Sequence, residues 1–168
     1  MCRFIRENNG KKDHKKRESH LEKRDSVMST EELEKYIDHW LERNWEKPKS
    51  GKIFFKEGFA NSAEGTYIFE KEGKYHYLIT EKGRVYQDDV TNDIDEIKWK
   101  VLNYYIFYDA CDYARVHQGK DQDSFRRLYF QRELEICRMF GDAFYLQKKK
   151  EIDGILGEHP YKDDFLRG

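Results

Sequence analysis

One stretch, residues 93–118 (DIDEIKWKVLNYYIFYDACDYARVHQ), constrains the fold more than any other. Between Lys100 and Asp109 it carries no charge, and only Asn103 interrupts the apolar run. At helical spacing its apolar side chains point to every side: Ile94 and Val101, then Leu102, Trp99 and Ile106, then Phe107 and Tyr104. A helix that is apolar all round belongs in the middle of its domain. The stretch therefore predicts a buried central helix, roughly 39 Å long at 1.5 Å per residue. The run is also aromatic and β-branched, so a strand over residues 101–108 competes. Length and the start signal at Asn92 favour the helix. Charges interrupt it too often for a membrane span, which needs ~20 predominantly apolar residues.

Around such a rod, 168 residues leave room for one domain, or one domain and a tail. A chain of this size buries ~70% of its extended surface without disulfides or metals. Charged residues make up 39% and aromatics 15%, which predicts an aromatic core under a densely charged surface. The net charge of −1 hides an asymmetry. Residues 1–27 hold nine Lys/Arg and five Asp/Glu, whereas the remainder holds 23 and 28, so a basic tail precedes an acidic body. With almost no apolar side chains to offset ordering entropy, residues 1–27 read as a disordered tail ahead of a single domain over 28–168. Met28 is an alternative start. Lys11, Lys12, Lys15, Lys16 and Arg17 form a run that could neutralise phosphates, although a solvated tail is the plainer reading. Cys2, Cys111 and Cys137 are too few and too scattered for a disulfide framework, which points to a reducing compartment. The first ten residues hold no apolar secretory core. A cytoplasmic protein is expected.

Ser29 and Glu32 form a capping box that starts the first helix. Leu33, Tyr36, Ile37, Trp40 and Leu41 make its apolar stripe, and Pro48 places its end near Glu46. The period then changes to two. Residues 66–70, 75–81 and 84–88 read as strands joined by tight turns at Gly73 and Gly83. A fourth strand over 53–55 could join this antiparallel meander. Tyr75, Tyr77 and Ile79 should share one face, with His76, Leu78 and Thr80 on the other. His76 reads as a satisfied strand residue rather than a base. Thr91 or Asn92 should cap the central helix, and Gly119 should end it. Asp121 or Asp123 should cap a helix over roughly 124–140, and Asp142 one over roughly 143–156. On that last helix Tyr145, Ile152, Ile155 and Leu156 should face inward, and Lys148, Lys149 and Lys150 should face solvent. The fold class is therefore α+β: a small antiparallel meander of three to four strands, packed with about four helices around the central one.

Two places break the apolar pattern, and such breaks tend to mark function. Asp112 projects along the line of Ile94, Val101 and Tyr105, which otherwise reads as core, with Arg115 placed to pair with it and Asp109 nearby. On the following helix Arg126 and Glu133 fall in the gap between two apolar arcs, Arg132 falls inside one arc, and Arg127 on the open face. Arg126 is expected to be partly buried and paired with Asp112 or Glu133, because an isolated buried charge is too costly. Arg127 is expected to be wet. A buried ion-pair network is the plainer account of these groups; a polar binding or active site is the sharper one. No nucleophile–base pattern, metal-ligand spacing, phosphate loop or dinucleotide fingerprint is present, so no catalytic residue, metal or cofactor is assigned. His14 and His20 in the tail do not make a metal site.

Several short stretches together resemble the immunity protein 63 family of bacterial polymorphic toxin systems. They are Tyr75-His76-Tyr77 with Glu81-Lys82-Gly83, residues 91–96 (TNDIDE), Asp112-Tyr113, and Arg126-Arg127 with Phe130, Glu133 and Leu134. Pro160-Tyr161 with Asp163-Asp164 closes the series. The likeness covers a little over half of the chain. It departs from the family's pattern at Asp123-Ser124-Phe125, which puts one more residue between the acid and Arg126-Arg127.

The resemblance implies a non-enzymatic inhibitor that binds a cognate toxin domain in the cytoplasm of the producing cell and occludes or distorts its active site. An acidic body would suit a basic toxin such as a nuclease. Asp109, Asp112, Arg115, Asp123, Arg126 and Arg127 are the candidate partner-binding residues. No membrane, small-molecule substrate or nucleic-acid partner is expected. The alternatives are a nucleic-acid-binding accessory protein that uses the basic tail, and an enzyme built around Asp109, Asp112, Arg115 and Arg126. The latter would need those groups in an open cleft.

Overall fold

The computed structural model describes residues 27–120 and 123–162. The basic tail, Asp121 and the Asp163-Asp164 pair lie outside them, apart from Val27.

The first helix, α1 (Thr30–Asn44), starts as its capping box dictates. The Ser29 side chain accepts from the Glu32 amide, and the Glu32 carboxylate accepts from the Ser29 amide at 3.0 Å. Its stripe narrows to Leu33, Ile37 and Leu41, all fully buried, while Trp40 is half-buried and Tyr36 is exposed. Each of the three contributes about 1.5–3 kcal/mol over an exposed position. The helix ends two residues before Glu46, because Trp45 turns into extended backbone and buries its indole. Two hydrogen bonds dock the start of α1 on the sheet: the Met28 amide donates to the Tyr75 hydroxyl, and the Glu70 amide to Thr30 Oγ1, both at 2.9 Å.

The sheet has the order β1-β2-β3-β4, with β1 (Ile53–Phe54), β2 (Gly65–Lys71), β3 (Lys74–Glu81) and β4 (Arg84–Thr91). The last three form the expected meander. Both turns are two-residue loops, Glu72-Gly73 and Lys82-Gly83, with positive φ throughout. That geometry matches the twist of a hairpin, and glycine at the second position adopts it without strain. The fourth strand joins parallel to β2, in the register Ile53↔Thr66. The sheet is therefore mixed at this edge. A shift in the ladder at Ile79/Thr80 leaves Tyr86 of β4 as the extra residue of a bulge.

The two faces divide as the alternation requires. Tyr75 and Tyr77 enter the main core with Ile53 and Ile68. Leu78 joins Tyr67 and Phe69 in a second cluster on the other face. His76 stacks on Phe69 at 4.8 Å and sets Nδ1 3.0 Å from Asp88 Oδ1, so it is a satisfied strand residue.

The long helix α2 (Ile94–His117) is central, as the sequence demands. Asp93 caps it, its carboxylate accepting from the Asp95 amide at 2.8 Å; Thr91 instead holds the Asp93 amide. Burial follows one winding stripe: Ile97, Val101, Leu102, Tyr105, Ile106, Ala110 and Ala114. Phe107 is 52% exposed, so the apolar circumference is not covered all round. Two further helices complete the chain, α3 (Ser124–Met139) and α4 (Asp142–Glu158), with Gly141 at φ 112° making the corner between them. Gly141, not Asp142, occupies the capping position of α4. On α4 Ile152 is buried and Tyr145 and Leu156 are half-buried, but Ile155 is exposed and Lys148 is buried. The expectation that Lys148 faces solvent is therefore wrong; Lys149 and Lys150 do face it.

Candidate functional site

The six charged residues singled out by sequence fall into two groups. The first lies on the last turns of α2. Asp109 is held by Arg132 of α3 through two hydrogen bonds, Nε to Oδ1 at 2.5 Å and the second nitrogen to Oδ2 at 3.3 Å. A bidentate fork of this kind is both strong and geometrically specific. It holds the guanidinium proton more tightly than usual, chiefly through the Asp109 hydrogen bond and against some burial. The arginine that sequence placed inside an apolar arc is thus the one that binds α3 to α2.

Asp112 is not on the core face. It is exposed, and accepts from Arg115 at 2.8 Å and from Ser50 Oγ at 3.2 Å. The reason is the winding of the buried stripe. Burial passes from Ile97 and Val101 round the helix to Ala110 and Ala114, so the line of Ile94, Val101 and Tyr105 has left the core by residue 112. Asp109, Asp112, Tyr113, Val116, His117 and Arg132 line a shallow depression of about 300 Å³ here.

The second group opens α3. Asp123 occupies the capping position, but its side chain caps nothing. It is buried, with Oδ2 accepting from the Lys162 amide at 2.6 Å and Oδ1 3.4 Å from Arg126. Arg126 also donates to the His159 carbonyl at 2.7 Å. Asp123 and Arg126 therefore tie the segment after α4 back onto α3. The partner of Arg126 is Asp123, three residues away, and not Asp112 or Glu133. Arg127 is half-buried rather than wet, its guanidinium lying 3.8 Å over the Tyr161 ring.

Sequence reasoning missed the most buried ion pair among the described residues. Glu133 of α3 and Lys148 of α4 stand 3.5 Å apart, each side chain 8% exposed. Burial pushes the Glu133 carboxyl above its ordinary value, with the Lys148 charge pulling part of the way back. Glu133 falling between two apolar arcs was the one available signal.

The same two helices frame a groove of about 450 Å³. Phe130, Leu134, Ile152 and Leu156 give it an apolar floor. At one end stands Arg127 on Tyr161, and at the other Arg138, 3.8 Å over Tyr145.

Among the described residues no group of three or more His, Cys, Asp or Glu is placed to hold a metal ion. No described helix is long and apolar enough to cross a membrane.

Fold and clusters together define a small α+β domain in which two ion pairs, Asp109–Arg132 and Glu133–Lys148, join helices to one another. One of its concave surfaces is the groove between α3 and α4. The family model of immunity protein 63 matches residues 71–154, from the end of β2 into α4, which is half of the chain. The chain belongs to that family, and membership suggests an immunity role in a toxin–immunity system. Comparison with curated proteins and with solved structures gave no match.

Proposed function

We propose that this chain binds a cognate toxin domain in the cytoplasm of the cell that makes both, and neutralises it by occluding or distorting the toxin's active site. The observation that carries the reading is the family match, which spans the last hairpin, α2, α3 and most of α4. Those elements bear every charged cluster described above. The use of the candidate charges also supports it: Asp109, Asp123 and Arg126 are engaged in binding helices and chain segments together. A rigid scaffold of this kind presents a fixed surface, which lowers the ordering cost of gripping another protein. The acidic body would speed association with a basic toxin such as a nuclease.

The test is co-expression with the toxic C-terminal domain encoded beside this chain. A stable complex on size exclusion, loss of the toxin's catalytic activity in the complex, and rescue of growth are expected. Absence of both complex and rescue would remove the proposal.

A further inference from the structure

We infer that the α3–α4 groove is the surface that seats the toxin, and that its occupant is a helical segment presenting apolar side chains to the floor and a carboxylate to Arg138. This rests on the reading of the chain as an immunity protein.

The first support is charge. Around the groove Lys149 is taken by Asp153 at 2.6 Å, Arg132 by Asp109, and Arg126 by Asp123 and the His159 carbonyl. The acids that line it are likewise engaged: Glu135 by Gln131 at 2.8 Å and by Arg132, and Asp153 by Lys149. Arg138 differs. It is exposed, its guanidinium sits 3.8 Å over the Tyr145 ring, and no carboxylate among the described residues is within salt-bridge distance of it. A stacked guanidinium keeps its in-plane donors available and is already oriented, so it suits bidentate capture of a carboxylate. Among the described residues the unanswered charge of the groove is therefore positive, although the body of the chain is acidic.

The second support is shape. Arg127, Gln131, Leu134 and Arg138 recur at intervals of four, three and four, which keeps them on one face of α3 over three turns. That face runs about 16 Å at 1.5 Å per residue. A groove of this length between two helices, apolar along its middle and polar at its ends, matches the way an amphipathic helix lies in a groove, anchored every three or four residues. Phe130 and Ile152, nearly buried, make the floor, and Leu134 and Leu156 its half-open walls. Aromatic residues with arginine beside a desolvated apolar pocket are the usual composition of a binding hot spot.

The experiment titrates the purified toxin domain encoded beside this chain into wild type, Arg138→Glu, Tyr145→Ala and the control Tyr86→Ala on β4, by calorimetry at low and high salt. Arg138→Glu should weaken binding about 30-fold, the scale of a hot spot, while Tyr86→Ala binds as the wild type does. Changing one toxin carboxylate to lysine should restore binding to Arg138→Glu and to no other variant. Wild type that binds beside groove variants that bind equally well overturns this assignment and leaves the immunity reading standing. No binding by wild type overturns both. Dimerisation of the free protein that Arg138→Glu abolishes would assign the groove to a second copy. A lowered melting temperature of Arg138→Glu with unchanged toxin affinity would assign it to this chain's own residues. Either result overturns the inference.

Discussion

Lys148 and Glu133 meet across the α3–α4 interface with nearly all of both side chains out of water. Lys148 also reaches Glu151 at 3.1 Å and lies 5.2 Å over the Trp99 ring, so its ammonium has one buried and one rim carboxylate and an aromatic face. Removing two charges from water costs several kcal/mol per ion, and their attraction repays this only with a complete set of partners. Lys148→Met should therefore destabilise the fold by about 3–5 kcal/mol, because it strands the Glu133 carboxylate. The double variant Lys148→Met/Glu133→Leu should recover most of that loss. Urea unfolding of the four proteins in the cycle gives both numbers.

The same pair predicts a pH dependence. Burial raises the Glu133 carboxyl above its unfolded value. The native state then holds the proton more tightly than the unfolded state, so Glu133's contribution to stability falls as pH rises through the window between those two values. Relative to Glu133→Gln, the wild type should lose stability from the ordinary carboxylate range upward, and the difference should level off once the native group has ionised. In Lys148→Met the window should extend further up, since the compensating cation is gone. Urea midpoints from about pH 4 to about pH 8 follow it.

Local rules carried much of this fold. The capping box at Ser29, the two glycine hairpins and the unbroken apolar run of α2 each depend on residues close together in sequence, and each formed where its residues dictated. What failed depended on distant partners. The parallel placement of β1 rests on two residue pairs thirteen positions apart, which no local pattern encodes. A run of three lysines looks solvated until α3 supplies Glu133 to the first of them. Asp112 looked buried because one helical line was extended past the point where the stripe winds away from it. Among the candidate site residues, Arg115 pairs with Asp112 as expected, and Arg126 is partly buried and paired, but with Asp123 rather than Asp112 or Glu133. Arg138 carried no sequence signal at all, since an arginine on a polar face is ordinary until its neighbours are seen to be paired elsewhere.

Two glycines should respond in opposite directions to alanine. Gly51 has φ +85°, and a Cβ there would lie 2.7 Å from the Tyr108 ring and 3.0 Å from Tyr104. Strained backbone and overpacking act together, and Gly51→Ala should cost about 1–3 kcal/mol. Gly154 sits inside α4 with nothing within 4 Å of its would-be Cβ. Gly154→Ala should add about 0.5–1 kcal/mol by removing backbone freedom from the unfolded chain. Thermal melts of the two variants, one below and one above wild type, check both signs.

The two acid–arginine pairs of α2 should separate in a double-mutant cycle. Asp109 and Arg132 are 18% and 24% exposed, and their fork joins two helices. Asp112 and Arg115 are 53% and 67% exposed and share one helix. Exposed pairs couple by about 0.2–1 kcal/mol, while charge-assisted forks with less water around them couple more strongly. Cycles built on Asp109→Asn/Arg132→Gln and on Asp112→Asn/Arg115→Gln should show the larger coupling in the first. High salt should erase the second and leave most of the first.

The thiols offer a probe of how tightly α3 is held. Cys137 is fully buried, and burial pushes its thiol up to about 12. Cys111 is half-buried, its thiol raised by the same cause and pulled part of the way back by Arg115. Alkylation needs both the thiolate and access to it. Iodoacetamide at neutral pH should therefore label Cys111 slowly and Cys137 only as fast as the domain opens, with the two rates converging in urea. Peptide mapping by mass spectrometry assigns each site. Lys148→Met should raise the Cys137 rate about tenfold for every ~1.4 kcal/mol of stability lost, because Cys137 lies on the same helix one turn after Glu133. Equal labelling of both cysteines in the native wild type would show that α3 detaches from the core without global unfolding.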